Sequence, residues 1–111
     1  MAYAPLMEFI ETPTFTRLVL DLMEDEDYAK LQAALAKTPD VGRIIPGGGG
    51  IRKMRWAGSG RGKRGGLRII YYWQVADGLI WMLLAYAKSE QDDLTPDQVK
   101  QLKRLVKEFE I

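Results

Sequence analysis

Hydrophobic and polar positions change period several times along this 111-residue chain, and each change predicts an element. Residues 7–11 (Met-Glu-Phe-Ile-Glu) roughly alternate and stop at Thr12-Pro13, which predicts a short edge strand, because Pro13 cannot donate to a ladder. Thr14 is a candidate N-cap, and Phe15, Leu18, Val19 and Leu22 then follow helical spacing. A second helix opens on Glu24-Asp25-Glu26-Asp27, where carboxylates suit the positive end of the helix dipole. Tyr28, Leu31, Ala34 and Leu35 form its apolar stripe; Lys37 suits its last turn, and Thr38-Pro39 ends it. We read the acid run as a solvated helix start rather than a metal or partner site.

After a glycine connection at 47–50, residues 51–56 predict a strand, 57–66 a loop and 67–75 a β-rich run. Ala76-Asp77-Gly78 predicts a tight hairpin turn, and 79–87 a returning strand that is apolar on both faces and therefore central. Thr95-Pro96-Asp97-Gln98 is a helix start with Thr as N-cap, Pro at the first helical position and Gln three residues on. Val99, Leu102, Leu105, Val106 and Phe109 supply that helix with a core stripe. The order β-α-α-β-β-β-α predicts an α+β fold: a small antiparallel sheet with two N-terminal helices and a C-terminal helix packed on one face. The length suits one domain over 1–111.

Composition adds exclusions. With no Cys and no His, the chain offers no disulfide, no thiolate or imidazole metal ligand and no histidine base. Any catalysis must run on Lys, Arg, Tyr or carboxylates. Residues 1–7 have neither a basic n-region nor an apolar h-region, and the longest apolar run, 78–87, is far short of the ~20 residues a bilayer requires. A soluble, cytoplasmic protein without signal peptide or cofactor is expected.

Charge changes the picture more. Residues 41–76 contain eight of the sixteen basic residues, ten of the eleven glycines and no acid, leaving eight basic against fifteen acidic residues elsewhere. A patch of that density attracts polyanions in a salt-dependent way. Gly60-Arg61-Gly62-Lys63-Arg64-Gly65 satisfies G-x-G-x-x-G literally, but a strand follows it where the dinucleotide fingerprint needs a helix. A P-loop would need glycine at 57 and Ser or Thr at 64, where the chain has Ala57 and Arg64. Strand alternation is more informative: Lys53 and Arg55 share a face, and antiparallel pairing could bring them together with Arg68 and Tyr86. The basic loop, with Arg61, Lys63 and Arg64, would then overhang that floor. Arg68 stands inside an apolar strand, where an anion must offset its desolvation. Arg43 and Arg52 read as solubilising, and Tyr71, Tyr72 and Trp73 as core rather than base-stacking surface.

The run from Gly50 to Trp56, the Gly/Lys/Arg loop and Arg64-Gly65-Gly66-Leu67-Arg68-Ile69-Ile70-Tyr71-Tyr72 resemble the HigB-like branch of the RelE toxin superfamily. Leu83-Leu84-Ala85-Tyr86-Ala87-Lys88 and Asp93-Leu94-Thr95 continue the likeness over nearly the whole chain. The resemblance implies a RelE-like fold and a type II toxin–antitoxin toxin: a small endoribonuclease that cuts mRNA in the ribosomal A site. Its partner would be a helix-turn-helix, HigA-like antitoxin, with operator DNA reached only through that antitoxin. Carried over by motif, Lys53 and Arg55 match the paired basic strand residues, and Arg68 the arginine on the scissile phosphate. The family's further arginine and its C-terminal tyrosine are replaced by Ser89 and Thr95, leaving Tyr86 or Lys88 to substitute.

Attack by the RNA's own 2′-hydroxyl needs no metal and no protein nucleophile, only alignment, charge stabilisation and proton transfer. Arg55 and Arg68 would grip the phosphate oxygens. Lys53 is a candidate base among clustered cations, and Tyr86 or Lys63 could protonate the leaving oxygen. Arg61, Lys63, Arg64 and Lys88 would hold RNA or ribosome. A non-catalytic nucleic-acid-binding module, an inactivated toxin and a domain docking an acidic partner remain the competing readings.

Overall fold

The computed structural model describes residues 7–57 and 66–109. Nine elements follow in order: β1 (Glu8–Glu11), α1 (Pro13–Leu22), α2 (Asp25–Lys37), β2 (Arg43–Ile44), β3 (Arg52–Trp56), β4 (Leu67–Gln74), a 3₁₀ turn (Val75–Asp77), β5 (Leu79–Ala87) and α3 (Pro96–Phe109). The strands form one sheet in the order β1-β5-β4-β3-β2. The fold is α+β, and the strand, turn and helix pattern along the chain lands close to the predicted bounds.

Three features differ from expectation. The sheet is mixed rather than antiparallel, because β1 adds parallel to β5 while the other pairs are antiparallel. Second, helices cover both faces. Phe15, Val19, Leu22, Leu31 and Leu35 of α1 and α2 bury Met54, Leu67, Ile69, Tyr71, Ile80 and Met82 on one side. Val106, Leu102, Leu105 and Phe109 of α3 cover Ile51, Ile70, Tyr72 and Leu83 on the other. An eight-residue strand apolar on both faces, as β4 is, would otherwise expose half its side chains to water. Third, α1 is capped by Thr12, not Thr14: its hydroxyl accepts from Phe15 N at 3.0 Å and Pro13 takes the first helical position.

The start of α3 is as read. Thr95 Oγ1 accepts from Gln98 N, and Gln98 Oε1 accepts from Thr95 N, at 3.1 and 2.9 Å. Its far end is pinned by Phe109 stacked on Trp81, ring centroids 3.7 Å apart. Gly78 closes the β4–β5 turn at φ 64°, a conformation that favours glycine.

β2, a strand of two residues that the sequence pattern does not predict, is held by a tether from the core. The buried Tyr71 hydroxyl donates to Pro39 O at 2.7 Å and accepts from Gly42 N at 2.8 Å. The approach is so close that a Cβ on Gly42 would meet the Tyr71 ring at 2.8 Å. Arg52 reinforces the turn by donating to Gly42 O at 2.8 Å. Its charge therefore serves the α2–β2 connection, more than simple solubility.

Candidate functional site

Side-chain facing follows from the two cores. Met54, Trp56, Leu67, Ile69 and Tyr71 point toward α1 and α2, so their strand neighbours Lys53, Arg55 and Arg68 point to the α3 side. On β5 simple alternation would put Tyr86 with Ile80 and Met82, on the wrong face. A bulge prevents this. The register runs Ile70 to Leu84 and then Tyr71 to Met82, leaving Leu83 without a partner on β4. Parity shifts by one, Leu83 and Leu84 both join the α3 side, and Tyr86 follows them. The Leu83 carbonyl left by the bulge accepts from Thr12 Oγ1 at 2.9 Å.

Three side chains consequently stand in one cross-strand row, Arg55 opposite Arg68 and Arg68 opposite Tyr86. A second pair, Arg43 opposite Lys53, lies beside it on β2 and β3. These cations, with Lys88 and Asp92, line a groove of about 610 Å³ on the part of the sheet that α3 leaves open. Like charges directly opposite across a sheet are destabilising where nothing compensates them, and here two pairs of cations stand at opposed positions on adjacent strands. Arg68 is only 5% exposed, and its guanidinium has Leu67 O at 3.4 Å. Burying a guanidinium beside a second arginine is costly unless anionic or polar groups compensate it.

The predicted group Lys53, Arg55, Arg68 and Tyr86 thus shares one side of the sheet, and Lys88 joins the groove. Arg61, Lys63 and Arg64, with the overhanging loop expected around them, lie outside the described residues. Arg43, read from sequence as solubilising, lines the groove instead. Its place depends on β2, too short to leave a periodic signal.

Carboxylates enter the groove as well, and sequence reasoning passed over them. Lys53 Nζ donates to Asp93 Oδ1 at 2.9 Å, with the two side chains 29% and 66% exposed. Lys53 is therefore paired with an anion, where the sequence placed it among cations alone. Asp93 sits on the β5–α3 connector, fixed by Leu94 N donating to the same oxygen at 2.9 Å and by Gln91 Nε2 donating to its carbonyl at 2.8 Å. The Lys53 hydrogen bond chiefly holds the Asp93 carboxyl below the ordinary carboxylate value, with Arg68 adding to the effect.

Tyr86 is 7% exposed and its buried hydroxyl has no hydrogen-bond partner among the described residues. Burial, with Asp93 nearby, pushes its ionisation above the ordinary tyrosine value, so the phenol is a proton donor at neutral pH. Among the described residues no cluster of Asp or Glu is placed to hold a metal ion.

The arrangement suits a phosphate-containing polymer: cations at opposed positions on neighbouring strands, a carboxylate at the rim, and the buried Tyr86 phenol next to Arg68 in the sheet. The model for the RelE toxin of the RelE/RelB toxin–antitoxin system matches residues 21–111. That span contains every residue of the groove.

Proposed function

This chain belongs to the RelE toxin family, and from that premise we propose that its groove binds mRNA on the ribosome and promotes cleavage by the RNA's own 2′-hydroxyl. As a toxin of a toxin–antitoxin system it has an antitoxin partner. The likeness of residues 50–72, 83–88 and 93–95 to the HigB-like branch supports a helix-turn-helix antitoxin as that partner. The observation that carries the proposal is the Arg55–Arg68 pair, two arginines at directly opposed positions of β3 and β4 that both line the groove. A phosphate bound by both arginines forms a bidentate clamp, and charge building on the phosphorane strengthens that clamp in the transition state. Tyr86, protonated at neutral pH, protonates the leaving 5′-oxygen from the end of the same row. Arg43 and Lys88 grip the strand, and Arg61, Lys63 and Arg64 are proposed to hold RNA or ribosome. A ribosome that holds the mRNA in line supplies the alignment a small open groove lacks.

A binding-only reading has one observation in its favour: Lys53 is already paired with Asp93. The two separate cleanly. Induced expression should arrest growth and cut mRNA on programmed ribosomes, with EDTA-insensitive scission leaving a 2′,3′-cyclic phosphate. Arg68→Ala should abolish both while circular dichroism stays native. RNA binding with intact strands would establish the binding module, and a fully toxic Arg68→Ala protein would remove that arginine from the site.

A further inference from the structure

We propose that Asp93 is the ribose-reading residue of the groove: it accepts the 2′-hydroxyl of the nucleotide before the scissile phosphate and takes its proton. This rests on the RNA-cleaving reading above. The groove has no obvious base. With no His or Cys in the chain, the proton acceptor must come from Lys, Tyr or a carboxylate. Lys53 is engaged as a donor to Asp93. Tyr86 holds its proton, and arginines do not release theirs. Asp92 and Asp93 are the acids left among the described residues at this face.

Of the two, Asp93 is the one built into place. Oδ1 accepts from both Lys53 Nζ and Leu94 N, each at 2.9 Å. Behind it, Gln91 bonds Gln98 at 2.7 Å, and Gln98 belongs to the capping box that starts α3. Two donors on one oxygen fix the carboxylate plane and leave Oδ2 with no partner among the described residues, on a side chain 66% exposed. An acceptor fixed at the rim of a cationic groove suits a ribose hydroxyl and repels a phosphate. It therefore also sorts RNA from DNA, since the 2′-hydroxyl is what differs between them. Arg68 and Asp93 both act electrostatically on Tyr86, and Arg68 on Asp93, while Arg68 stands opposite both Arg55 and Tyr86 in the sheet.

The step balances without a co-reactant. The 2′-oxygen bonds to phosphorus as its proton passes to Oδ2, and the phosphorus–O5′ bond breaks. The 5′-oxygen takes the Tyr86 proton, and solvent returns a proton from Asp93 to Tyr86 afterwards.

The test uses the full chain with Asp93→Asn and Asp92→Asn. It measures single-turnover cleavage on ribosomes carrying a synthetic mRNA, and binding to a single-stranded RNA oligonucleotide and its all-2′-deoxy counterpart. Asp93→Asn should slow cleavage by roughly 10²-fold or more, the scale of a positioned base. Its RNA affinity should stay within about fivefold, as loss of one exposed charge permits, while preference for RNA over the deoxy strand collapses. Cleavage by Asp93→Asn within about fivefold of wild type, a larger loss in Asp92→Asn, or an unchanged RNA preference each overturns the assignment. A wild-type protein that binds RNA without cutting it refutes the cleavage reading instead, and the deoxy comparison then decides Asp93 alone.

Discussion

Arg55 and Arg68 illustrate how one residue's chemistry depends on the residue opposite. Arg68, buried in an apolar strand, already carries a desolvation cost, and Arg55 at the directly opposed position of β3 adds a second positive charge beside it. The tyrosines carry a different lesson. Tyr28, Tyr71 and Tyr86 all ionise above the ordinary value of 10.0, burial being the first cause for each. Tyr28 also donates to Glu11 Oε2 at 2.6 Å, and Tyr71 to Pro39 O at 2.7 Å. A folded-state pKa raised above the unfolded one gives stability that is whole below the unfolded value and lost as pH rises through the folded value. The native state should therefore hold to about pH 10, the unfolded tyrosine value, and unfold above it. Tyrosine absorbance and circular dichroism should change together. Phenolates forming in a fully native protein would contradict the burial of these hydroxyls.

Among the elements, the bulge in β5 decides whether there is a site at all, because it alone turns Tyr86 toward Arg68. Its support is Thr12, which both caps α1 and donates to Leu83 O. Thr12→Ala should cost about 1–2 kcal/mol, the usual loss of an N-cap together with a part-buried hydrogen bond. Because the bulge carbonyl loses its donor, cleavage or RNA binding should fall further than in a mutant equally destabilised within α2. Chemical denaturation paired with the ribosome assay would show this, and equal losses in the two variants would make Thr12 a cap and nothing more.

At the scale of the molecule, charge is partitioned between a basic groove and acidic helix surface, the latter including the exposed Glu24, Asp25 and Glu26 at the start of α2. The net charge of +1 conceals this. Replacing Arg61 and Arg64 together by Ala should weaken RNA binding and flatten its dependence on salt, by about 0.7 in logarithmic slope for each single-strand phosphate no longer neutralised. An unchanged slope would give the glycine-rich basic segment another task. Hydrophobic periodicity and capping residues were enough to specify the α+β class, the α3 start at Thr95-Pro96 and the burial of Tyr71 and Tyr72, because these depend on neighbours within a turn or a strand. The same local pattern marked Lys53, Arg55 and Arg68, since alternation along a strand is set by the backbone. It gave no sign of the parallel β1, the helices on opposite faces, the two-residue β2 that brings in Arg43, or the Lys53–Asp93 pair spanning forty positions. Those follow from strand register and layer packing, which join residues far apart in sequence. A one-residue slip such as the bulge at Leu83 reverses a face without changing a single amino acid.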